Sequence, residues 1–161
     1  MKQNTAMYMF CSSVKVDFFK QTLEKYFNIK NMIIWDKGQQ TAGDLNFAFG
    51  RQYEIIFMVN KGSCPLREKR VSDIWAGPGF KRVPIKHQLH QNEKPVSLLE
   101  YCIRYSSDLG DLVFDGFAGS GATGVAAQIL GREFILIEKD AEIYELAKRR
   151  INGLIAENKF F

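Results

Sequence analysis

The chain has 161 residues, 46% of them hydrophobic and 25% charged, which is enough apolar material for one globular domain with a single core. Its formal net charge of +4, from 22 lysines and arginines against 18 acidic residues, permits an anionic partner without requiring one. Three widely spaced cysteines, Cys11, Cys64 and Cys102, argue against a disulfide framework or a Cys-x-x-Cys metal site, and the apolar run near the start is too short for a signal peptide or membrane span, so the reading is a cytoplasmic protein.

In chain order, MYMFC (7–11) predicts a short buried strand. VDFFKQTLEKYF (16–27) predicts a helix, because Phe19, Leu23 and Phe27 recur every four residues and make one apolar stripe. NMIIWDK (31–37) and YEIIFMVNKG (53–62) are strand-length apolar runs ended by charge or glycine. Between them lies a polar, glycine-bearing loop with two phenylalanines.

Residues 61–90 carry Pro65, Pro78 and Pro84 and no sustained periodicity, which predicts loop-like chain. Seven cations, Lys61, Arg67, Lys69, Arg70, Lys81, Arg82 and Lys86, stand there against Glu68 and Asp73, a local balance of +5, with His87 and His90 at its end. Such a segment is either a solvated surface loop or a phosphate-binding one. KPVSLLEYCIRYSS (94–107) then predicts a helix with Val96, Leu99 and Ile103 on one face and Pro95 in its first turn. LVFD (112–115) reads as a strand, GATGVAAQIL (121–130) as a helix closed by Gly131, and FILIE (134–138) as a second strand. Asp140 caps a last helix with Ile143, Ala147, Ile151 and Leu154 on one face. Strand, helix, strand, helix predicts α/β architecture with parallel pairing.

The stretch DGFAGSGATGVAAQILGREFILIEKD (115–140) is the most informative. Gly119, Gly121 and Gly124 fit G-x-G-x-x-G, and Glu138 follows Gly119 by 19 residues at the next strand's end. Glycines let backbone approach a ligand, a helix N-terminus offers free N–H groups, and a terminal acid accepts ribose hydroxyls. Asp115 comes before the glycines, where a carboxylate would repel a pyrophosphate but suit a ligand with a cationic end. S-adenosylmethionine carries an ammonium, a sulfonium and a ribose, so the residues favour a methyl donor over a nicotinamide.

These residues resemble the DNA amino-methyltransferases, which methylate adenine N6 or cytosine N4. DGFAGSGAT is similar to their D-P-F-A-G-S-G-T-T motif, with Gly116 for proline and Ala122 for threonine. LHQNEKP is similar to their H-P-T-Q-K-P segment, with Gln91, Asn92 and Glu93 in place of Pro, Thr and Gln. The strands of residues 7–62 resemble later strands of the catalytic half, so the order resembles the circularly arranged group with a target-recognition region between two halves. The resemblance implies a Rossmann-like methyltransferase fold, a mostly parallel sheet with helices on both faces, and one partial domain over 1–161. It implies S-adenosylmethionine at Lys94, Pro95, Asp115, Gly116, Phe117, Ala118, Gly119, Ser120, Gly121, Thr123 and Glu138. It implies double-stranded DNA at Arg67, Lys69, Arg70, Lys81, Arg82, Lys86 and His90, and a weak preference for adenine.

The family's target-base motif, of the D-P-P-Y type, is absent: the four prolines, Pro65, Pro78, Pro84 and Pro95, are never adjacent. In the family that motif provides a polar group and a carbonyl for the target amine and a ring for the flipped base. The resemblance implies a place for it before residue 1, on a central strand next to those of residues 112–115 and 7–11. One or two strands are therefore expected to be missing, leaving open edges that close by direct pairing, by a partner chain or by self-association. Cys64-Pro65 reverses the Pro-Cys order of a cytosine-C5 nucleophile, and Asp36 and Lys37 read as a charged strand end, so neither restores the site. Three readings stand: a truncated or split DNA methyltransferase, a noncatalytic remnant that binds S-adenosylmethionine or DNA, and a nicotinamide-dependent oxidoreductase.

Overall fold

The structure, a computed structural model, describes residues 1–40, 46–89 and 92–157. It falls into two compact units, Met1–Lys81 and Arg82–Phe161. The boundary cuts through the basic segment, so Arg67, Lys69, Arg70 and Lys81 lie in the first unit and Arg82 and Lys86 in the second.

The first unit holds β1 (Thr5–Cys11), a 3-10 turn, α1 (Val16–Glu24), β2 (Asn28–Asp36), β3 (Tyr53–Lys61) and the two-residue β4 (Ile74–Trp75). The strand order is β1-β3-β2-β4. β3 runs antiparallel to both β1 and β2, and only β4 is parallel to its neighbour β2. The mostly parallel sheet expected from the sequence is therefore corrected here to a mixed one. The cause is β3, a continuous apolar run entering the sheet between β1 and β2 from the opposite direction.

Ile55 through Val59 of β3 are all buried, so neither sheet face is left to water. That is why the run is continuous rather than alternating. On one face Ile55, Phe57 and Val59 pack with Cys11 and with Leu23 of α1, and Phe19 and Phe27 close around them. The helix ends at Glu24, sooner than the apolar stripe predicts, because the amides of Tyr26 and Phe27 turn back onto the Leu23 carbonyl to enter β2.

Helices on both faces were expected, but within this unit the second face is covered by part of the basic segment. Trp75 lies 6.4 Å from Tyr8 and stacks on Phe80 at 6.0 Å. The Trp35 indole donates to the Phe80 carbonyl at 2.5 Å, and the Trp75 indole to the Ser72 carbonyl at 3.1 Å. Aromatic anchors need no periodicity to bury themselves, so a stretch that reads as loop is pinned at both ends of its aromatic part.

The second unit contains α2 (Val96–Ser106), β5 (Leu112–Asp115), α3 (Ala122–Ile129), β6 (Glu133–Leu136) and α4 (Ala141–Glu157). β5 and β6 pair in parallel, Leu112 opposite Glu133 through Asp115 opposite Leu136, with α3 as the crossover. Here the parallel expectation holds. α3 can lie close because it is made of small residues: a Cβ on Gly124 would come within 2.7 Å of Leu136 Cδ1 and 2.8 Å of Ile151 Cδ1. Asp140 caps α4 as expected, its Oδ1 accepting from the amides of Glu142 and Ile143.

Leu112, Phe114 and Ile135 on the other face of this two-stranded sheet are exposed. Among the described residues β5 pairs only with β6 and β1 only with β3, so each has an open edge. No helix among them is long and apolar enough to cross a membrane.

Candidate cofactor-binding site

β5 ends at Asp115, and the chain turns through Gly116, Phe117, Ala118, Gly119 and Ser120 into Gly121, which opens α3. Two residues of this turn need backbone that side chains resist: Gly119 has φ +52° and Gly121 φ +78°. No side chain caps α3, so its first-turn amides are not taken by a cap. Asp115 orders the turn: Oδ1 accepts from the Phe117 amide at 2.9 Å and Oδ2 from the Thr123 hydroxyl at 2.6 Å. Thr123 is thus brought to Asp115 as well as to the loop.

Glu138 lies just past β6, two residues beyond the strand end at Leu136. Its Oε2 accepts from the Gly119 amide at 2.9 Å and its Oε1 from the Asp140 amide at 3.0 Å. The Ala118 amide donates to the Ile137 carbonyl, so the glycine turn is laced to the chain leaving β6. Both predicted acids therefore sit at the C-terminal ends of adjacent parallel strands, the position where open α/β sheets take ligands. Asp115 bonds only within the turn and Glu138 bridges the turn to the start of α4, and both retain acceptor capacity, since a carboxylate offers about four lone-pair sites.

The Asp140 amide, with help from those of Gly119 and Lys139, holds the Glu138 carboxyl below its ordinary range, against some desolvation and the charge of Asp140. A depressed folded-state value contributes stability above the unfolded glutamate value of about 4.3 and loses it as pH falls through the folded value. Glu138→Gln is therefore expected to unfold more easily than wild type at neutral pH in urea titrations. The two should converge on the acid side of the ordinary glutamate range. A gap that persists there would mean that Glu138 acts through packing, not charge.

The lead-in segment reaches the glycine turn through residues the sequence reading did not single out as site residues. Lys94 and Pro95 precede α2, with Pro95 at its N-cap rather than inside its first turn. The Glu93 carboxylate beside them is buried, pairs with Arg150 Nη1 of α4 at 2.8 Å, and accepts from the Leu89 amide at 2.7 Å. The same Arg150 nitrogen donates to the Ser120 hydroxyl at 3.1 Å and carbonyl at 3.3 Å. The signal available in the sequence was Glu93 standing where the resembled motif has glutamine.

Phe117, predicted at the site, is 92% exposed on the turn. Arg67, Lys69 and Arg70 are exposed on a stretch without regular structure, and Arg67 donates to the Pro65 carbonyl. Lys81 is exposed, Arg82 half-buried, and Lys86 exposed in the 3-10 turn Ile85–His87. His90 lies outside the described residues.

Asp36 holds its own loop: Oδ1 accepts from the Gly38 amide at 2.8 Å and the Gln52 amide group at 2.9 Å, which holds its carboxyl below the usual range. Cys64 is a half-buried free thiol, and burial pushes the Cys102 thiol far up. Among the described residues no cluster of His, Cys, Asp and Glu could hold a metal ion.

A parallel strand, glycine turn, helix and strand, with a carboxylate near the end of each strand, form a Rossmann-like α/β unit. A sequence profile of the N6/N4 DNA methylase family matches residues 1–149, and the chain belongs to that family. It is 33% identical over 146 residues to the type II methyltransferase M2.DpnII of Streptococcus pneumoniae, covering 83% of this chain and 53% of that protein. It is 27% identical over 183 residues to the DNA adenine methyltransferase YhdJ of Escherichia coli, covering 94% of this chain and 62% of that one. The solved M1.HpyAVI–SAM complex superimposes with a TM-score of 0.74 at 27% identity, over 93% of this chain and 76% of that one. The fold is thus the Rossmann-like methyltransferase fold, while the chain spans little more than half the length of these curated relatives.

Proposed function

We propose that this chain is the S-adenosylmethionine-binding part of a DNA amino-methyltransferase acting on adenine N6. The observation that carries the reading is the pair of carboxylates, Asp115 and Glu138, bonded to the amides of one glycine turn. Their donor chemistry fits the ligand: Asp115 offers negative potential to its cationic end and Glu138 acceptors to its ribose. Lys94, Pro95 and the turn from Gly116 to Gly121 complete the pocket, and Phe117 offers an exposed ring edge to the adenine. Bound S-adenosylmethionine supplies an electrophilic methyl group; these residues bind and orient it. The names of YhdJ and M2.DpnII, and the ligand in the M1.HpyAVI complex, support the same reading. Double-stranded DNA is the second ligand, met by Arg67, Lys69, Arg70, Lys81, Arg82 and Lys86, whose charges suit phosphate.

The residues that hold the target base come from polypeptide outside these 161 residues, either another segment or a partner chain. Two features support this. The open edges of β5 and β1 can each accept a strand, and the exposed Leu112, Phe114 and Ile135 face needs a cover. The lack of any D-P-P-Y sequence also favours a second reading, a noncatalytic binder of S-adenosylmethionine or DNA. Asp115 speaks against a dinucleotide.

Ultraviolet cross-linking with methyl-labelled S-adenosylmethionine tests the site. Label is expected in peptides covering residues 94–95 and 115–123, displaced by unlabelled ligand and not by NAD. Label confined to other peptides, or displaced equally by NAD, would overturn the assignment.

A further inference from the structure

α4 backs the glycine turn along one face. A Cβ on Gly121 would come within 3.0 Å of Ala147 Cβ and 3.2 Å of Ile151 Cδ1, and Arg150 lies between those two contacts on the same helix. Arg150 is the point where three separate parts of the unit meet. Its Nη1 binds the buried Glu93 carboxylate at 2.8 Å, next to Lys94-Pro95, and both oxygens of buried Ser120, next to Gly121. The other oxygen of Glu93 holds the Leu89 amide, so the carboxylate ties down the lead-in segment while the guanidinium ties down the turn.

Breaking a buried ion pair by removing one partner leaves the other charge buried and uncompensated, which is strongly destabilising. Loss of the guanidinium therefore releases both segments at once, not one of them. We propose that Arg150 is a positioning residue of the cofactor pocket, fixing Leu89 and residues 92–95 of the lead-in relative to the turn of residues 115–121 through Glu93 and Ser120. This inference rests on the S-adenosylmethionine reading for its functional consequence, but the mechanical coupling stands independently of it.

The test uses the full chain with Arg150→Met, Arg150→Lys and Glu93→Gln, well below each variant's melting temperature. Amide hydrogen exchange of the two segments and calorimetric S-adenosylmethionine affinity are the readouts. Arg150→Met is expected to speed exchange at Leu89 and residues 92–94 and in 115–121 together and to raise Kd roughly tenfold or more, since support of a binding loop sets its geometry. Arg150→Lys should recover part of both effects. If Arg150→Met does not fold, Glu93→Gln, which retains an acceptor but no charge, decides by the same two readouts.

Faster exchange in one segment only would overturn the clamp. Coupled loosening with unchanged affinity would overturn its role in positioning. A wild-type chain that takes no S-adenosylmethionine would instead sink the proposed function, and the exchange data would still decide whether Arg150 couples the two segments.

Discussion

The 161-residue polypeptide on its own is expected to transfer no measurable methyl group to duplex DNA, at least about a thousandfold below a complete enzyme of the family. Transfer to an exocyclic amine needs the base extruded from the stack and its nitrogen held in line with the donor, and positioning supplies most of the acceleration. The D-P-P-Y motif that performs this in the resembled family has no counterpart among these residues, whose four prolines are all isolated. A tritium-transfer assay with the chain alone, and again with a polypeptide carrying such a segment, separates the two readings under the proposed function. Activity restored by the added segment marks a split enzyme. Activity of the chain alone at ordinary rates would contradict the account of the missing motif.

The second large effect is at Asp115. Asp115→Ala is expected to weaken S-adenosylmethionine binding by about tenfold to a hundredfold. A charge-assisted hydrogen bond contributes about 1.5–3 kcal/mol, and each 1.4 kcal/mol is a factor of ten. Asp115 also orders the turn through the Phe117 amide and the Thr123 hydroxyl, so alanine removes two contributions together. Asp115→Asn separates them. Its amide oxygen can still accept from Phe117 and its NH₂ can donate to the Thr123 oxygen, so the turn is retained while the charge is lost. Calorimetry should place the asparagine variant between wild type and alanine; an asparagine variant that binds as wild type does would show that the charge is not what the site uses.

Much of the second unit was legible in the sequence because its signals are local. LVFD, bounded by Asp111 and a glycine, is the strand Leu112–Asp115 to the residue. The glycine spacing placed the turn and α3, and the Asp140 cap placed α4. The second strand was read as residues 134–138 but is Glu133–Leu136, because Glu138 turns away from the strand line to meet the Gly119 and Asp140 amides. What the sequence hid depends on partners far apart in the chain. Glu93 and Arg150 are each unremarkable locally and become a buried pair only when α4 packs behind the turn. Trp75 and Phe80 sit in a segment without periodicity, and only the β2 contact reveals them as anchors. The antiparallel entry of β3 was likewise invisible, since a run buried on both faces carries no mark of its direction.

The contributions of Asp115, Glu138 and the Arg150 clamp converge on one claim, that the glycine turn is a methyl-donor site. The most direct measurement is isothermal titration of the wild-type chain with S-adenosylmethionine, with NAD as the control. Saturable one-to-one binding of S-adenosylmethionine that Asp115→Ala weakens is expected, with no heat from NAD. No binding of S-adenosylmethionine, or binding of NAD in its place, would contradict it.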